Sequence, residues 1–123
     1  QDHARIFMNY LNSRGSEVKL LPIAEVKTEW ESPLAAFEDT LAHEQKVTAL
    51  INNLMNIAQE DKDYASISML NWFVDEQVEE EENARDIIDV LDKISDNKFG
   101  LYSYDRELAA RVYTTPSPLA TAE

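Results

Sequence analysis

The stretch Trp72 to Asn83, read W-F-V-D-E-Q-V-E-E-E-E-N, decides both the fold of this chain and the place of its chemistry. It lies within Tyr64 to Ile94, where apolar residues recur at the three- and four-residue steps of one helix face. Gln77 and Glu80 interrupt that apolar face. A buried carboxylate without a partner costs several kcal/mol, so it is protonated, paired with a cation or bound to a metal. We favour a metal.

The composition predicts a single all-α domain. The 123 residues are 44% hydrophobic and 28% charged, with only two glycines and four prolines to interrupt helices.

A net charge of −13 disfavours nucleic acid and anionic membranes as partners, although an acidic surface also serves solubility. No apolar run reaches the roughly 20 residues that span a bilayer and no signal-peptide pattern is present, so we expect a cytoplasmic protein. Without cysteine, any metal must be held by carboxylate, imidazole or amide groups.

The beginning of the chain predicts one helix and a long connection. Gln1 to Arg14 has helical periodicity, with Gly15 as its C-terminal stop and His3 on the apolar face. A lone histidine on such a face is usually a hydrogen-bonded core residue, which is the simplest interpretation of His3 alone. Ser16 to Glu31 has no helical period, and its length of roughly 16 residues predicts a crossover between parallel helices of a bundle.

A second long helix is predicted from Ser32, as N-cap, and Pro33 to about Glu60. Glu44 stands in the middle of its apolar face. The members of that face, which we expect to point inward, are Leu34, Phe37, Leu41, Val47, Ile51, Leu54 and Ile57.

The turn Asp61 to Asp63 is short, which predicts that the two long helices are antiparallel, with Asp63 as the N-cap of the second. At the helical rise per residue, Gln77 and Glu80 lie about 21 and 25 Å from Asp63, and Glu44 lies about 24 Å back from the other end of the turn. The three polar groups are therefore expected to meet at one level.

The last long helix is predicted to end near Asn97 to Gly100, and a short helix to run from Ser103 to about Val112. We expect a helical domain over residues 1–112 and a flexible tail over residues 113–123.

Several motifs together resemble bacterial non-haem ferritin, from Gln1 to about Arg111. They are A-H-E-Q (Ala42 to Gln45), W-F-V-D-E-Q-V-E-E-E (Trp72 to Glu81), E-S-P-L (Glu31 to Leu34), K-D-Y-A (Lys62 to Ala65) and G-L-Y (Gly100 to Tyr102). The resemblance implies a ferritin-like four-helix bundle, with a long crossover between the second and third helices and a short fifth helix. It further implies a 24-subunit homo-oligomeric cage, which oxidises ferrous iron with oxygen or peroxide and stores the ferric mineral.

The resemblance also implies which residues bind non-haem iron. At the diiron ferroxidase site they are His3, Glu44, Gln77 and Glu80. Glu76 and Glu79 would join Glu80 around a third iron position, although a solvated helix face explains Glu76 and Glu79 as well. Glu81 and Glu82 are assigned to the solvated surface.

The family's first helix, which carries one iron-binding glutamate and a tyrosine near the diiron pair, has no counterpart in this sequence. The bridging glutamate of the family's E-x-x-H motif would stand immediately before Gln1. We therefore expect the sequence to be an N-terminally incomplete part of a longer subunit. A chain that truly starts at Gln1 is expected to be an impaired ferroxidase.

Two alternatives stay open. Haem-binding bacterioferritin, like other diiron carboxylate proteins, carries a second E-x-x-H where this chain has Gln77 to Glu80, and its haem methionine would fall at Gln1, so no haem is expected. The other alternative is a non-catalytic helical interaction protein whose buried charges pair across a dimer. Arg5, beside His3, is the one basic residue near these apolar faces, so most of the required pairs are missing.

Overall fold

The computed structural model describes residues 1–120, which form helices and loops without any strand. The helices are α1 (Asp2–Ser13), α2 (Pro33–Glu60), α3 (Tyr64–Ile94) and α4 (Lys98–Ala109), followed by a 3₁₀ turn at Ser117–Leu119. The prediction of an all-α chain is confirmed. Within these residues, no helix combines the length and the apolar character needed to cross a membrane. The chain divides into two compact units, one formed by Thr28–Arg106 and the other by Gln1–Lys27 with the chain from Glu107 onward.

The larger unit is built on the pair α2 and α3, which pack along each other. Both predicted N-caps are present. The Ser32 hydroxyl accepts a hydrogen bond from the Ala35 N–H at 3.0 Å, and a carboxylate oxygen of Asp63 accepts one from the Ser66 N–H at 3.3 Å. These bonds satisfy N–H groups that have no partner within the helix. Lys62, between the helices, takes a left-handed backbone conformation with φ of 55° and makes the sharp reversal possible.

The core of this unit lies along one face of α3. Phe73, only 1% exposed, is at its centre and packs edge-to-face with Trp72, with ring centroids 4.9 Å apart. The other buried residues of α2 and α3 are Ile51, Ala58, Leu70, Gln77, Ala84, Ile87 and Leu91.

The prediction that Leu54 and Ile57 point inward is wrong, since they are 40% and 47% exposed. Ala58 is buried instead, together with Ile51. Around a helix, Ala58 lies about 20° from Ile51 whereas Ile57 lies about 120° away. The small Ala58 therefore occupies the contact, and the larger neighbouring residues remain outside it.

The predicted boundary near Asn97 to Gly100 is also wrong. Helix α3 ends at Ile94, and α4 begins at Lys98 instead of Ser103 and ends at Ala109 instead of near Val112. The Asn97 side-chain oxygen accepts a hydrogen bond from the Gly100 N–H at 2.9 Å. Asn97 is thus the N-cap of a new helix, whereas the sequence pattern Asn-x-x-Gly resembles a helix end.

In the other unit, α1 ends at Ser13, and Gly15, the predicted C-terminal stop, follows it with a φ of 72°. The Gly15 N–H donates to the Asn12 carbonyl at 3.0 Å and the Ser16 N–H to the Leu11 carbonyl at 3.0 Å, which is the Schellman arrangement. Residues 16–31 then form no helix or strand, as expected for a connection.

The C-terminal part of this unit lies against α1. The 3₁₀ turn contacts α1, and the Tyr113 hydroxyl donates to the Asp2 carboxylate at 2.9 Å. The flexibility of the tail over residues 113–123 stays a prediction, and residues 121–123 lie outside the described residues.

The hydrogen bond from the Ala35 N–H to the Ser32 hydroxyl gives a test of where α2 begins. We expect Ser32→Ala to lower the free energy of unfolding by about 1 kcal/mol, because the Ala35 N–H loses its acceptor. Ser68→Ala, at an exposed interior position of α3, is the matched control and is expected to change stability little. Urea unfolding of the two variants measures the difference, and an equal effect of both changes would contradict the role of the cap.

Candidate metal centre

Gln77 is the one polar residue among the buried residues of the described chain, with 2% of its surface exposed. Its carbonyl oxygen Oε1 is buried and has no hydrogen-bond partner within residues 1–120. An unsatisfied buried acceptor costs about 1–3 kcal/mol. A carbonyl oxygen in this state is suited to accept a ligand from outside the chain, and a cation is one such ligand.

The other end of the Gln77 amide faces α2. Its nitrogen Nε2 lies 3.2 Å from both the main-chain oxygen and a carboxylate oxygen of Glu44, and 3.3 Å from the Thr48 hydroxyl oxygen. Glu44 and Gln77 therefore meet, as expected from their positions along the two helices. Because all three neighbours accept hydrogen bonds, the amide nitrogen is turned toward α2. Oε1 is therefore the end of the amide that has no hydrogen-bond partner within residues 1–120.

Two further carboxylates lie close to each other on α3. Glu80, one turn after Gln77, and Glu76 are both half-buried, and each offers a carboxylate oxygen within 4.8 Å of the other's. Like charges held this close repel each other, and a cation between them removes the repulsion. Glu79 is exposed on the same helix.

The assignment of Glu81 to the solvated surface is wrong. The Glu81 side chain is only 15% exposed, and one of its oxygens accepts a hydrogen bond from the Thr48 hydroxyl at 2.7 Å. Its other oxygen forms an ion pair with Arg85. The spacing of Glu81 and Arg85 does suggest an ion pair within the helix, but the contact with α2 depends on how far each helix is rotated. Glu82 is exposed, as expected.

A cavity of about 260 Å³ lies beside these groups, between α2 and α3. Its walls are partly apolar, and its single carboxylate, that of Glu81, is neutralised by Arg85. The cavity is therefore less suited to a cation than are the carboxylates of Glu44 and Glu80. The residues that line it are Thr48, Ile51, Asn52, Val74, Gln77, Val78, Glu81 and Arg85.

His3 is half-buried on α1, in the other compact unit. Its role as a metal ligand stays a prediction. The same holds for Glu44, Gln77 and Glu80, and for Glu76 and Glu79 at a third position.

Comparison with known proteins gives consistent matches. The ferritin family, described as a ferritin-like domain, matches residues 1–94. The bacterial non-heme ferritin of Staphylococcus haemolyticus is 50% identical over 111 residues, which are 90% of this chain and 67% of that protein. The bacterial non-heme ferritin of Staphylococcus aureus is 44% identical, with the same coverage.

Among solved structures, the open pore ferritin of the archaeon Archaeoglobus fulgidus superposes with a TM-score of 0.88 at 43% sequence identity. The match covers 89% of this chain and 68% of that one. An engineered closed form of the same ferritin gives a TM-score of 0.89 at 42% identity, over 91% of this chain and 68% of the other. The chain thus spans about two thirds of the length of the relatives it matches.

Proposed function

The chain belongs to the ferritin family, and on this basis we propose that it serves iron storage by oxidising ferrous iron and depositing ferric mineral. The observation that carries the proposal is the buried, unpartnered Oε1 of Gln77 beside the carboxylate of Glu44. A polar group placed this way inside an apolar core is unfavourable on its own, and an iron ion bound there offsets the cost.

We propose that Glu44, Gln77 and Glu80, together with His3, bind two ferrous ions per subunit. Mixed oxygen and imidazole ligands suit ferrous iron, and carboxylates favour the ferric product because of their charge. Each ferrous ion gives up one electron, so two ions reduce one dioxygen to peroxide. Gln77 is neutral and therefore a weaker ligand than a carboxylate, which favours release of the oxidised iron.

Glu76 and Glu79 are proposed, with Glu80, as ligands of a third iron position that receives ions from the first two. The closeness of the Glu76 and Glu80 carboxylates supports this proposal for that pair. Glu79 is supported only by its position in the sequence motif.

The assembly proposed from the family is a homo-oligomeric cage of 24 subunits in the cytoplasm, with a helical domain over residues 1–112 and a tail over residues 113–123. A net charge of −13 suits a protein whose cargo is a cation. Oxygen or peroxide is the proposed oxidant, and no nucleic acid, membrane or haem takes part.

Anaerobic titration with Fe²⁺, monitored by calorimetry, tests this proposal. We expect the protein to bind ferrous iron, and we expect Glu44→Ala and Glu80→Ala each to weaken binding at least about tenfold, since each removes a charged ligand. Glu38→Ala on α2 and Glu82→Ala on α3 make the same chemical change at exposed positions of the same helices.

The two control variants are expected to bind iron as the unchanged protein does. A protein that binds no iron, or that loses no affinity in Glu44→Ala and Glu80→Ala, would contradict the proposed function. A Soret band in stoichiometric amount in the purified protein would instead support a haem-binding relative of this family.

A further inference from the structure

Three side chains form a hydrogen-bonded chain that leads away from Gln77. The Thr48 hydroxyl has one hydrogen and two acceptors in reach, the Glu44 main-chain oxygen at 3.0 Å and Glu81 Oε1 at 2.7 Å. The carboxylate is the nearer and the charged acceptor, so the hydrogen goes to Glu81. The Thr48 oxygen then faces the Gln77 amide with a lone pair, which fits its distance of 3.3 Å from Nε2.

Arg85 fixes the far end of this chain. Its guanidinium pairs with the other oxygen of Glu81, and Arg85 is half exposed whereas the Glu81 side chain is 15% exposed. Glu81 is thereby held between a hydroxyl of α2 and a cation of its own helix. A carboxylate shielded to this extent makes stronger hydrogen bonds than a fully exposed one.

The consequence is a fixed orientation of the Gln77 amide. Rotation of the amide by 180° would place Oε1 against two oxygens of Glu44 and against the Thr48 lone pair, all of which are acceptors. An iron ion bound to the Glu44 carboxylate competes with the Gln77 Nε2 for the oxygens of that carboxylate. The Glu44 main-chain oxygen and the Thr48 hydroxyl, the latter oriented by Glu81, then remain as the acceptors that hold Nε2 on the side of α2.

We propose that Thr48 and Glu81 are positioning residues for iron binding by Gln77. They hold the amide nitrogen toward α2, so that the carbonyl oxygen is presented to the more weakly bound of the two ferrous ions. This inference rests on the proposed function, because it requires Gln77 to be a ligand. It assigns a role to two residues that do not themselves touch iron.

Titration with Co²⁺, a redox-stable ion that accepts the same ligand types, tests the inference through the visible d–d bands. We expect Thr48→Val and Glu81→Ala to raise the dissociation constant of the weaker Co²⁺ about tenfold, as loss of a residue that orients a ligand commonly does. The tighter Co²⁺ is expected to bind as before. Thermal unfolding without metal, measured on each variant, shows that the variants are folded.

The chain provides matched controls for both changes. Thr40→Val removes an exposed hydroxyl of α2 that bonds to the Ala36 carbonyl, as the Thr48 hydroxyl can bond to the Glu44 carbonyl. Glu82→Ala removes an exposed carboxylate next to Glu81. Both controls are expected to bind two Co²⁺ ions like the unchanged protein. Thr48→Ser, which keeps the hydroxyl, is expected to restore the weaker affinity.

Each outcome decides one question. If Gln77→Ala loses the weaker Co²⁺ but Thr48→Val and Glu81→Ala titrate like their controls, the inference is overturned while the proposed function stands. A loss in Thr48→Ser as large as that in Thr48→Val would also overturn the inference, because packing and not the hydroxyl would then matter. If Gln77→Ala itself binds both ions normally, the assignment of Gln77 as a ligand fails first.

Discussion

Replacing Gln77 by methionine is expected to slow ferrous oxidation about 100-fold and to leave the metal-free protein at least as stable as before. Loss of an iron ligand is expected to remove about 3 kcal/mol of stabilisation from a reaction that needs two ions, and each 1.4 kcal/mol is a factor of ten. Methionine has nearly the same shape, so the core stays filled. It also removes the unpartnered Oε1, which offsets the lost Nε2 hydrogen bonds at about 1 kcal/mol each.

The initial rate of ferrous oxidation, together with the urea midpoint measured with and without metal, tests this prediction. Gln59→Met makes the same chemical change at an exposed position of α2 and is expected to alter neither quantity. With Co²⁺ present, the unchanged protein should gain more stability than Gln77→Met, because only a native state that binds the ion is stabilised by it. A metal-free Gln77→Met protein that is several kcal/mol less stable, with an unchanged rate, would show that the amide is a structural group.

Phe73→Ala is expected to lower the free energy of unfolding by about 3–5 kcal/mol, the usual result of removing a fully buried aromatic ring. Phe73 is 1% exposed, and the substitution also removes its edge-to-face contact with Trp72. Because domains of this size are stable by about 5–15 kcal/mol, a loss this large removes much of the margin that keeps the chain folded.

Urea unfolding at a fixed protein concentration measures the effect, since the apparent stability of an oligomer depends on concentration. Phe99→Ala is the control, because Phe99 is 77% exposed. Phe99→Ala is expected to change the free energy of unfolding by less than about 0.5 kcal/mol. Equal losses from Phe73→Ala and Phe99→Ala would contradict the position of the core along α3.

The parts of the fold that the sequence predicted correctly depend on local chemistry. Ser32 and Asp63 cap helices through their own neighbouring N–H groups, and Gly15 takes a positive φ that few other residues adopt. The meeting of Glu44 with Gln77 was also predicted, because a short turn and a constant rise per residue fix the level of each side chain along an antiparallel pair.

The errors arise where rotation about the helix axis matters. Leu54 and Ile57 fit the apolar period of α2, yet Ala58 is buried and they are exposed. No local signal in the sequence reveals which of these residues is buried. Glu81 is predicted from the sequence to lie on the solvated surface, whereas its bond to Thr48 depends on the register between α2 and α3. Asn97 begins a helix where the sequence pattern predicts the end of one, because asparagine and glycine occur at both ends of helices.

Iron binding at Gln77 is tested most directly by anomalous X-ray diffraction from crystals of the protein loaded with Fe²⁺ in the absence of oxygen. We expect an iron peak within coordination distance of Gln77 Oε1 and of the Glu44 carboxylate, with the amide nitrogen still directed at Thr48. Iron peaks confined to other carboxylates, with Oε1 still unpartnered, would contradict the proposed metal centre.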